Sequence, residues 1–207
     1  MIVLKICGMR SLEDVRTCVE AGVDALGFVF ADGPHRLSLE EGSRMTAAAP
    51  AGVTRVGVFA NQSRALVLQA LGRCRLDVLQ FAGDETPEFC GSFGVPTLLT
   101  ARERPPAPDV VQRARSIGVI GDARVKGRFG GTGIRMAPDR ARFIRDGLRV
   151  PFILAGGLTP DNVGDAMREV HPDGVDVSSG VERSGRKDPE LVARFALRVK
   201  EVFHART

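Results

Sequence analysis

Residues 2–30 read IVLKICGMRSLEDVRTCVEAGVDALGFVF. Apolar runs at Ile2–Ile6 and Ala25–Phe30 flank a stretch with helical periodicity, Leu12–Ala21. Ser11, with an acidic residue three positions later, resembles the capping box that is typical of a helix start. Strands that are continuously apolar, rather than alternating, are typical of a parallel sheet covered by helices. The stretch therefore predicts a strand–helix–strand unit with parallel strands.

The same alternation of strand-like and helix-like segments continues along the chain. The predicted strands are Ile2–Ile6, Ala25–Phe30, Arg55–Phe59, Asp77–Phe81, Thr97–Thr100, Ile117–Gly121, Phe152–Ala155 and Gly174–Val177. The predicted helices are Leu12–Ala21, Leu39–Ala49, Ala65–Gly72, Glu85–Phe93, Val110–Arg115, Pro138–Asp146, Pro160–Val170 and Pro189–His204.

Eight such units are the number that closes a parallel sheet into a barrel, so we predict an α/β protein with the (β/α)₈ TIM-barrel fold. Residues 1–207 are expected to form one domain, because no linker or change of composition divides them. The alternative is a doubly wound open sheet. It is disfavoured because no G-x-G-x-x-G motif follows the first strand.

Composition excludes several classes of protein. Hydrophobic residues make up 43% and charged residues 26% of the chain, which is typical of a compact globular domain. No stretch approaches the roughly 18 consecutive apolar residues of a membrane span, so we expect a cytoplasmic protein without a membrane partner. Net charge is +4, but the basic residues are dispersed and aromatics are only 5%, which disfavours nucleic-acid binding.

The cysteines and histidines do not form a metal-binding pattern. Cys18, Cys74 and Cys90 lie in predicted helices or beside them and are expected to be small buried apolar residues. The chain has no C-x-x-C motif and no nearby histidine pair, so no metal site is predicted. The three histidines, at positions 35, 171 and 204, fall in a loop or near helix ends and are expected to be solvated.

Two residues that can transfer protons follow predicted strands. Cys7 comes after the first strand and Asp122 after the sixth. Because the carboxyl ends of all strands of a parallel barrel meet at one rim, where active sites lie, both side chains are expected to face one substrate. The alternatives are a packed thiol at Cys7 and a helix cap or turn residue at Asp122.

Glycine-rich segments follow the last two strands. Ala155–Pro160 reads AGGLTP and Val177–Glu182 reads VSSGVE. The loops after strands seven and eight often bind phosphate in barrels, because glycines let backbone N–H groups approach the anion. The predicted phosphate-binding residues are Gly156, Gly157, Ser178, Ser179 and Gly180.

A third glycine cluster, at residues 130–133, follows the sixth strand. It is interpreted as a loop that folds over the ligand, with Gly131 as a binding residue and Lys126 or Arg128 as anion contacts. The alternative is a plain flexible connection.

Together these motifs resemble the phosphoribosylanthranilate isomerase family of tryptophan biosynthesis. The matching motifs, in the family's order, are KICG at 5–8, GFVF at 27–30, Arg36, VGVF at 56–59, Asp122, GGTG at 130–133, AGGL at 155–158 and VDVSSGVE at 175–182. The resemblance implies an Amadori rearrangement that converts an aminoaldose into an aminoketose. Such a reaction requires an acid and a base but no cofactor and no metal.

The resemblance also implies roles for individual residues. Asp122 is expected to be the acid, Cys7 the base, and Arg36 the group that binds the anthranilate carboxylate. Asp176 alternates with two valines, so it is expected to point into the barrel and to orient a substrate hydroxyl or the anthranilyl amine. Lys5 is placed on the other face of its strand, which leaves the following helix N-terminus as the source of a lowered Cys7 pKa.

Two departures from the family pattern leave alternatives open. After strand four the chain has Gln80-Phe81-Ala82-Gly83 where the family usually has Gln-Leu-His-Gly, and before Asp122 it has Gly121 where a bulky aliphatic is usual. Another phosphosugar isomerase or epimerase on the same barrel is one alternative, and a non-catalytic phosphoribosyl-binding relative is the other. The sequence also leaves open an association with other enzymes of tryptophan biosynthesis.

Overall fold

The computed structural model describes residues 2–123 and 135–205. Eight parallel strands form a closed barrel in chain order, and the last strand pairs with the first. The strands are β1 Leu4–Cys7, β2 Ala25–Val29, β3 Thr54–Phe59, β4 Val78–Phe81, β5 Thr97–Ala101, β6 Ser116–Gly121, β7 Phe152–Leu154 and β8 Gly174–Val177. The (β/α)₈ barrel that the sequence predicts is confirmed.

Each strand of the barrel is followed by a helix. The helices are α1 Leu12–Glu20, α2 Leu39–Thr46, α3 Arg64–Arg73, α4 Pro87–Gly91, α5 Pro108–Arg113, α6 Pro138–Asp146, α7 Val163–Val170 and α8 Pro189–His204. Between β8 and α8 lie a short 3₁₀ helix, Ser179–Val181, and a two-stranded hairpin of β9 Glu182–Arg183 and β10 Arg186–Lys187. None of the described helices has the length and apolar character that crossing a bilayer requires.

Helix starts follow the capping residues. Ser11 accepts a hydrogen bond from the Asp14 N–H, and Ser38 forms a complete capping box with Glu41. The seventh helix begins at Val163 rather than at the predicted Pro160. The reason is Asn162, whose side chain accepts from the Thr159 N–H at 2.8 Å and so holds the preceding residues in a turn.

Side chains alternate between two cores, one inside the barrel and one between the barrel and its helices. The inner core consists of Ala25, Val56, Val78, Leu98, Ile120, Ile153 and Ala155. The outer core includes Val175 and Val177, so Asp176 between them points inward, as predicted. Continuing this alternation toward the carboxyl ends of the strands places Cys7, Gln80, Thr100 and Asp122 on the inner face.

Candidate active site

Lys5 and Asp176 form a buried ion pair inside the barrel. They are register partners on β1 and β8, and Lys5 Nζ lies 2.7 Å from Asp176 Oδ2. Lys5 is 0% exposed. Burial opposes its charge, but Asp176 and Cys7 outweigh that effect and raise the pKa of Lys5 above its ordinary value. The ion pair therefore favours the charged form of Lys5 inside the barrel.

The position of Lys5 corrects the sequence analysis. Residues two apart in a strand share a face, so Lys5 and Cys7 both point inward, and the placement of Lys5 on the opposite face is wrong. Burial raises the pKa of the Cys7 thiol, whereas the Lys5 ammonium lowers it in part. Lys5, with a smaller effect from Lys187, thus opposes the desolvation cost of a Cys7 thiolate.

The neighbouring strand leaves room for the thiol. Gly27 is the register partner of Cys7 on β2. A Cβ atom at Gly27 would lie 2.5 Å from Cys7 Sγ, far inside contact distance. The glycine of the GFVF motif therefore has a steric role, since any side chain there would displace the sulfur.

Asp122 lies directly after β6, and its N–H donates to the Ala101 carbonyl at 3.1 Å. Burial and the charge of Asp176 raise the pKa of Asp122 to about 6, although Arg102 works in the opposite direction. A carboxyl with this pKa retains a proton in part of the molecules near neutral pH. Gly121 before it is packed against Phe152, whose Cζ would lie 2.5 Å from a Cβ at this position.

The catalytic candidates thus meet around one ion pair. Cys7 interacts with Lys5, Lys5 with Asp176, and Asp176 with Asp122. All four belong to strands β1, β6 and β8 or directly follow one of them. A proton donor, a thiol and a fixed cation at one rim are suited to moving protons on a bound molecule.

The opposite wall of the rim carries polar groups that the sequence analysis missed. Arg102 donates from Nη2 to the Ala82 carbonyl, so a cation lies beside the position where the family usually has histidine. Within residues 2–123 and 135–205, three buried side-chain oxygens have no hydrogen-bond partner: Gln80 Oε1 and Thr100 Oγ1 on this wall, and Asp176 Oδ1 on β8. Buried polar atoms are normally paired, so these inward-facing oxygens are suited to a polar ligand. The inward direction of Gln80 and Thr100 could have been predicted, because each lies two residues after an inward-facing residue, Val78 or Leu98.

The loops after β7 and β8 are in direct contact. Gly156 and Gly157 have φ of +85° and +59°, values that favour glycine. Asn162 Nδ2 donates to the Gly157 carbonyl at 2.9 Å and so fixes this turn. A Cβ at Gly180 would lie 1.8 Å from the Leu158 carbonyl oxygen, so only glycine permits this approach. Their glycines bring the two predicted phosphate loops together at one point of the rim.

The remaining predicted residues of these segments have different positions. Ser178 precedes the 3₁₀ helix, and its Oγ lies 2.9 Å from where a Cβ at Gly8 would be. Ser179 is the first residue of that helix. Gly131, with Lys126 and Arg128, lies outside the described residues.

His35 is not solvated, which corrects the sequence analysis. Its side chain is only 15% exposed, and its Nε2 lies 3.0 Å from Glu182 Oε1. Lys187 Nζ lies 2.5 Å from the same carboxylate oxygen. His171 and His204 are exposed, as predicted. The pairing of His35 and Glu182 joins residues that are 147 positions apart, a contact that no local pattern indicates.

Arg36 lies on the loop between β2 and α2. Its side chain is 57% exposed, and Nη1 lies 2.5 Å from Asp32 Oδ1. It also lines a cavity of about 350 Å³ with Phe30, Leu37 and Leu66. An exposed i,i+4 ion pair contributes little free energy, so the guanidinium can exchange Asp32 for another carboxylate.

The other cysteines are Cys18, Cys74 and Cys90, which are buried as predicted. Across residues 2–123 and 135–205, histidine, cysteine and acidic side chains nowhere gather in a group of three that could hold a metal ion.

Comparison with known proteins connects this geometry to one family. A family model described as N-(5′-phosphoribosyl)anthranilate (PRA) isomerase matches residues 4–198. The N-(5′-phosphoribosyl)anthranilate isomerase of Moorella thermoacetica is 44% identical over 210 residues, covering 100% of this chain and 94% of that protein.

Solved structures show the same similarity. The phosphoribosyl anthranilate isomerase of Thermus thermophilus superposes with a TM-score of 0.84 at 30% identity, covering 98% of this chain and 100% of that one. Another structure of this isomerase is a complex with reduced 1-(o-carboxyphenylamino)-1-deoxyribulose 5-phosphate; its TM-score is 0.77 at 31% identity, covering 97% of this chain and 100% of the other. The match extends over nearly the whole chain, which therefore belongs to the N-(5′-phosphoribosyl)anthranilate isomerase family.

Proposed function

We propose that this protein converts N-(5′-phosphoribosyl)anthranilate into 1-(2-carboxyphenylamino)-1-deoxyribulose 5-phosphate. The proposal is based on one observation. Cys7 and Asp122 lie at one rim of the barrel, where Cys7 interacts electrostatically with Lys5 and Asp122 with Asp176, the two members of one ion pair. The reaction moves protons between carbon and oxygen within one molecule, which requires one acid and one base. As an enzyme of amino-acid biosynthesis acting on a small phosphorylated molecule, it is proposed to work in the cytoplasm.

Asp122 is the proposed acid of the first step. Its carboxyl donates a proton to the furanose ring oxygen, the bond between that oxygen and C1′ breaks, and the nitrogen lone pair forms the iminium. The elevated pKa of about 6 keeps part of the Asp122 population protonated near neutral pH, which an ordinary aspartate does not achieve.

Cys7 is the proposed base of the second step. The thiolate removes the proton from C2′ of the iminium, and the electron pair of that bond neutralises the nitrogen to give an enolamine. The enolamine then tautomerises to the ketone. Burial disfavours the thiolate, and the Lys5 ammonium on the same strand face, with a smaller effect from Lys187, favours it.

The substrate carries two anionic ends and a polar centre. The loops after β7 and β8 are proposed to bind the phosphate through Gly156, Gly157, Ser178, Ser179 and Gly180. Arg36 is proposed to bind the anthranilate carboxylate in place of Asp32. The unpartnered Oδ1 of Asp176 is suited to accept a hydrogen bond from a substrate hydroxyl or from the anthranilyl amine.

The test is turnover of freshly prepared N-(5′-phosphoribosyl)anthranilate, followed by the fluorescence of its anthranilate group. Cys7→Ser and Asp122→Asn should each lower kcat by about 10²-fold or more, as expected for loss of an acid or base. Cys74→Ser and Asp139→Asn are matched controls remote from these proton-transfer groups, and both should retain turnover.

Three outcomes distinguish the proposed function from the two alternatives that the sequence leaves open. Full activity in both Cys7→Ser and Asp122→Asn would contradict the assigned roles. A wild-type protein that binds the reduced product analogue without turning over substrate would be a non-catalytic relative. A wild-type protein that isomerises ribose phosphates but not the anthranilate conjugate would be another phosphosugar isomerase.

A further inference from the structure

His35, Glu182 and Lys187 form a side-chain group, the His35 cluster, that contains neither the proposed acid nor the proposed base. Glu182 Oε1 lies 3.0 Å from His35 Nε2 and 2.5 Å from Lys187 Nζ. The side chains of Glu182 and Lys187 are only 9% and 1% exposed. The cluster is therefore a buried charged network at the rim of the barrel.

The charge state of Glu182 fixes the direction of its hydrogen bonds. Burial raises the pKa of Glu182, but the bonds from His35 and Lys187 outweigh it and lower the pKa to about 2. An ionised carboxylate only accepts hydrogen bonds, so His35 Nε2 carries the proton and donates. Lys187 donates its other bond to the Ser178 carbonyl at 3.2 Å.

The cluster joins two loops at the end of β1. His35 belongs to the loop after β2 that also carries Arg36, whereas Ser178 begins the loop after β8. Both pack on Gly8, the residue after Cys7: a Cβ there would lie 2.9 Å from Ser178 Oγ and 3.0 Å from His35 Cδ2. Gly8 itself has φ of +84°, so glycine suits both its conformation and its close packing.

Buried ion pairs seldom stabilise a fold more than apolar residues of the same size do, so stability alone does not account for such a network. We propose that Glu182 and Lys187 are positioning residues that, through His35, hold the loop carrying Arg36 at a fixed distance from the loop after β8. The proposal rests on the proposed function, in which these two loops bind the carboxylate and the phosphate of one substrate.

A fixed distance between two binding loops affects substrate binding more than chemistry. Cys7 and Asp122 are held by strands of the barrel, so loss of the His35 side chain leaves both proton-transfer groups in place. Loss of Lys187 has a second effect, because its charge lowers the pKa of Cys7. Loss of binding that is equal in ground state and transition state raises KM with kcat unchanged. Partial misfolding, by contrast, lowers the concentration of active enzyme and hence the apparent kcat with KM unchanged.

The first experiment compares His35→Leu with His35→Gln in steady-state kinetics. His35→Leu removes the donor to Glu182 and should raise KM by about 10-fold or more, the range for a lost hydrogen bond to a charged group. His35→Gln retains an amide N–H that can donate, so its KM should stay within about 3-fold of wild type. His171→Asn, an exposed histidine at the end of α7, is the matched control and should leave both constants unchanged.

The second experiment is a double-mutant cycle between His35→Leu and Arg36→Ala. If the cluster acts by positioning Arg36, adding His35→Leu to Arg36→Ala should change KM by less than about 2-fold, since coupled residues give non-additive effects. Lys187→Met and Glu182→Gln, combined with a thermal melt, extend the test to the other members. Both should raise KM in the fraction that folds, and Lys187→Met should also lower kcat, because the lost ammonium no longer lowers the pKa of Cys7.

Several results would overturn the proposal. If the KM of the double variant rises by the product of the two single-variant increases, His35 and Arg36 act independently. A lowered kcat with unchanged KM in all cluster variants would show a purely structural role. Absence of turnover in wild type would contradict the proposed function itself, whereas active wild type with an uncoupled cycle would contradict only the positioning role.

Discussion

Replacing Asp122 by asparagine should remove activity and at the same time stabilise the fold above pH 6. In the folded protein burial and Asp176 raise the pKa of Asp122 from its ordinary 3.8 to about 6. The folded state therefore binds the proton more tightly than the unfolded state does. The stability that this proton supplies is fully present below pH 3.8 and is lost as pH rises to about 6.

The size of the effect follows from the two pKa values. A rise from 3.8 to about 6 corresponds to about 3 kcal/mol at ~1.36 kcal/mol per pKa unit. Asparagine has nearly the same shape and does not ionise, so Asp122→Asn should avoid this loss. We expect the variant to be more stable than wild type by up to about 3 kcal/mol at pH 8, with the difference shrinking toward zero near pH 4.

The assay is denaturant unfolding of both proteins between pH 4 and pH 8. The chain has no Trp and no Tyr, so far-ultraviolet circular dichroism is the suitable signal. A matched Asp139→Asn variant, whose side chain is 95% exposed, should follow wild type at every pH. Equal stability of Asp122→Asn and wild type at pH 8, or a difference that does not depend on pH, would refute a raised pKa at Asp122.

Three further predictions concern the charges and the loops of the site. Lys5→Met leaves Asp176 buried without its partner and should lower the free energy of unfolding by about 3–5 kcal/mol, measured by denaturant titration; an unchanged midpoint would contradict the pairing. Arg102→Leu removes a cation that lowers the pKa of Asp122, so the apparent pKa that Asp122 contributes to the kcat/KM profile should move to higher pH, and a shift to lower pH would contradict the influence of Arg102. Inorganic phosphate should raise the Tm of Gly180→Ala less than that of wild type, because the added methyl group would force apart the two loops that meet at Leu158. An equal rise in Tm for both proteins would show that this close approach is not needed for anion binding.

The fold could be predicted from the sequence because its signals are local. Apolar runs separated by capped helices recur in the right number, and the capping residues Ser11 and Ser38 start helices where expected. The sequence predicts the start of α7 at Pro160 instead of Val163, because a turn held by the Asn162 side chain resembles a first helical turn in sequence.

The site could be predicted only where residues follow strands. Position in the sequence predicts Cys7 and Asp122 as candidates, and alternation predicts the inward direction of Asp176, but the His35–Glu182 contact joins residues 147 positions apart. The inward direction of Lys5 was available from period-two alternation. Placing Lys5 on the other face from Cys7 is wrong because residues two apart in a strand share a face, although a lysine inside a barrel is contrary to the usual preference of charged residues for solvent.

The ion pair of Lys5 and Asp176 also affects how the polypeptide reaches its native state. The two residues are 171 positions apart, so the ammonium is synthesised long before its counter-ion. A buried lone charge is costly, and contacts this distant in sequence form slowly. During translation, β1 is therefore not expected to pack in the barrel interior before β8 has left the ribosome. Closure of the barrel is then a late event that requires nearly the entire chain.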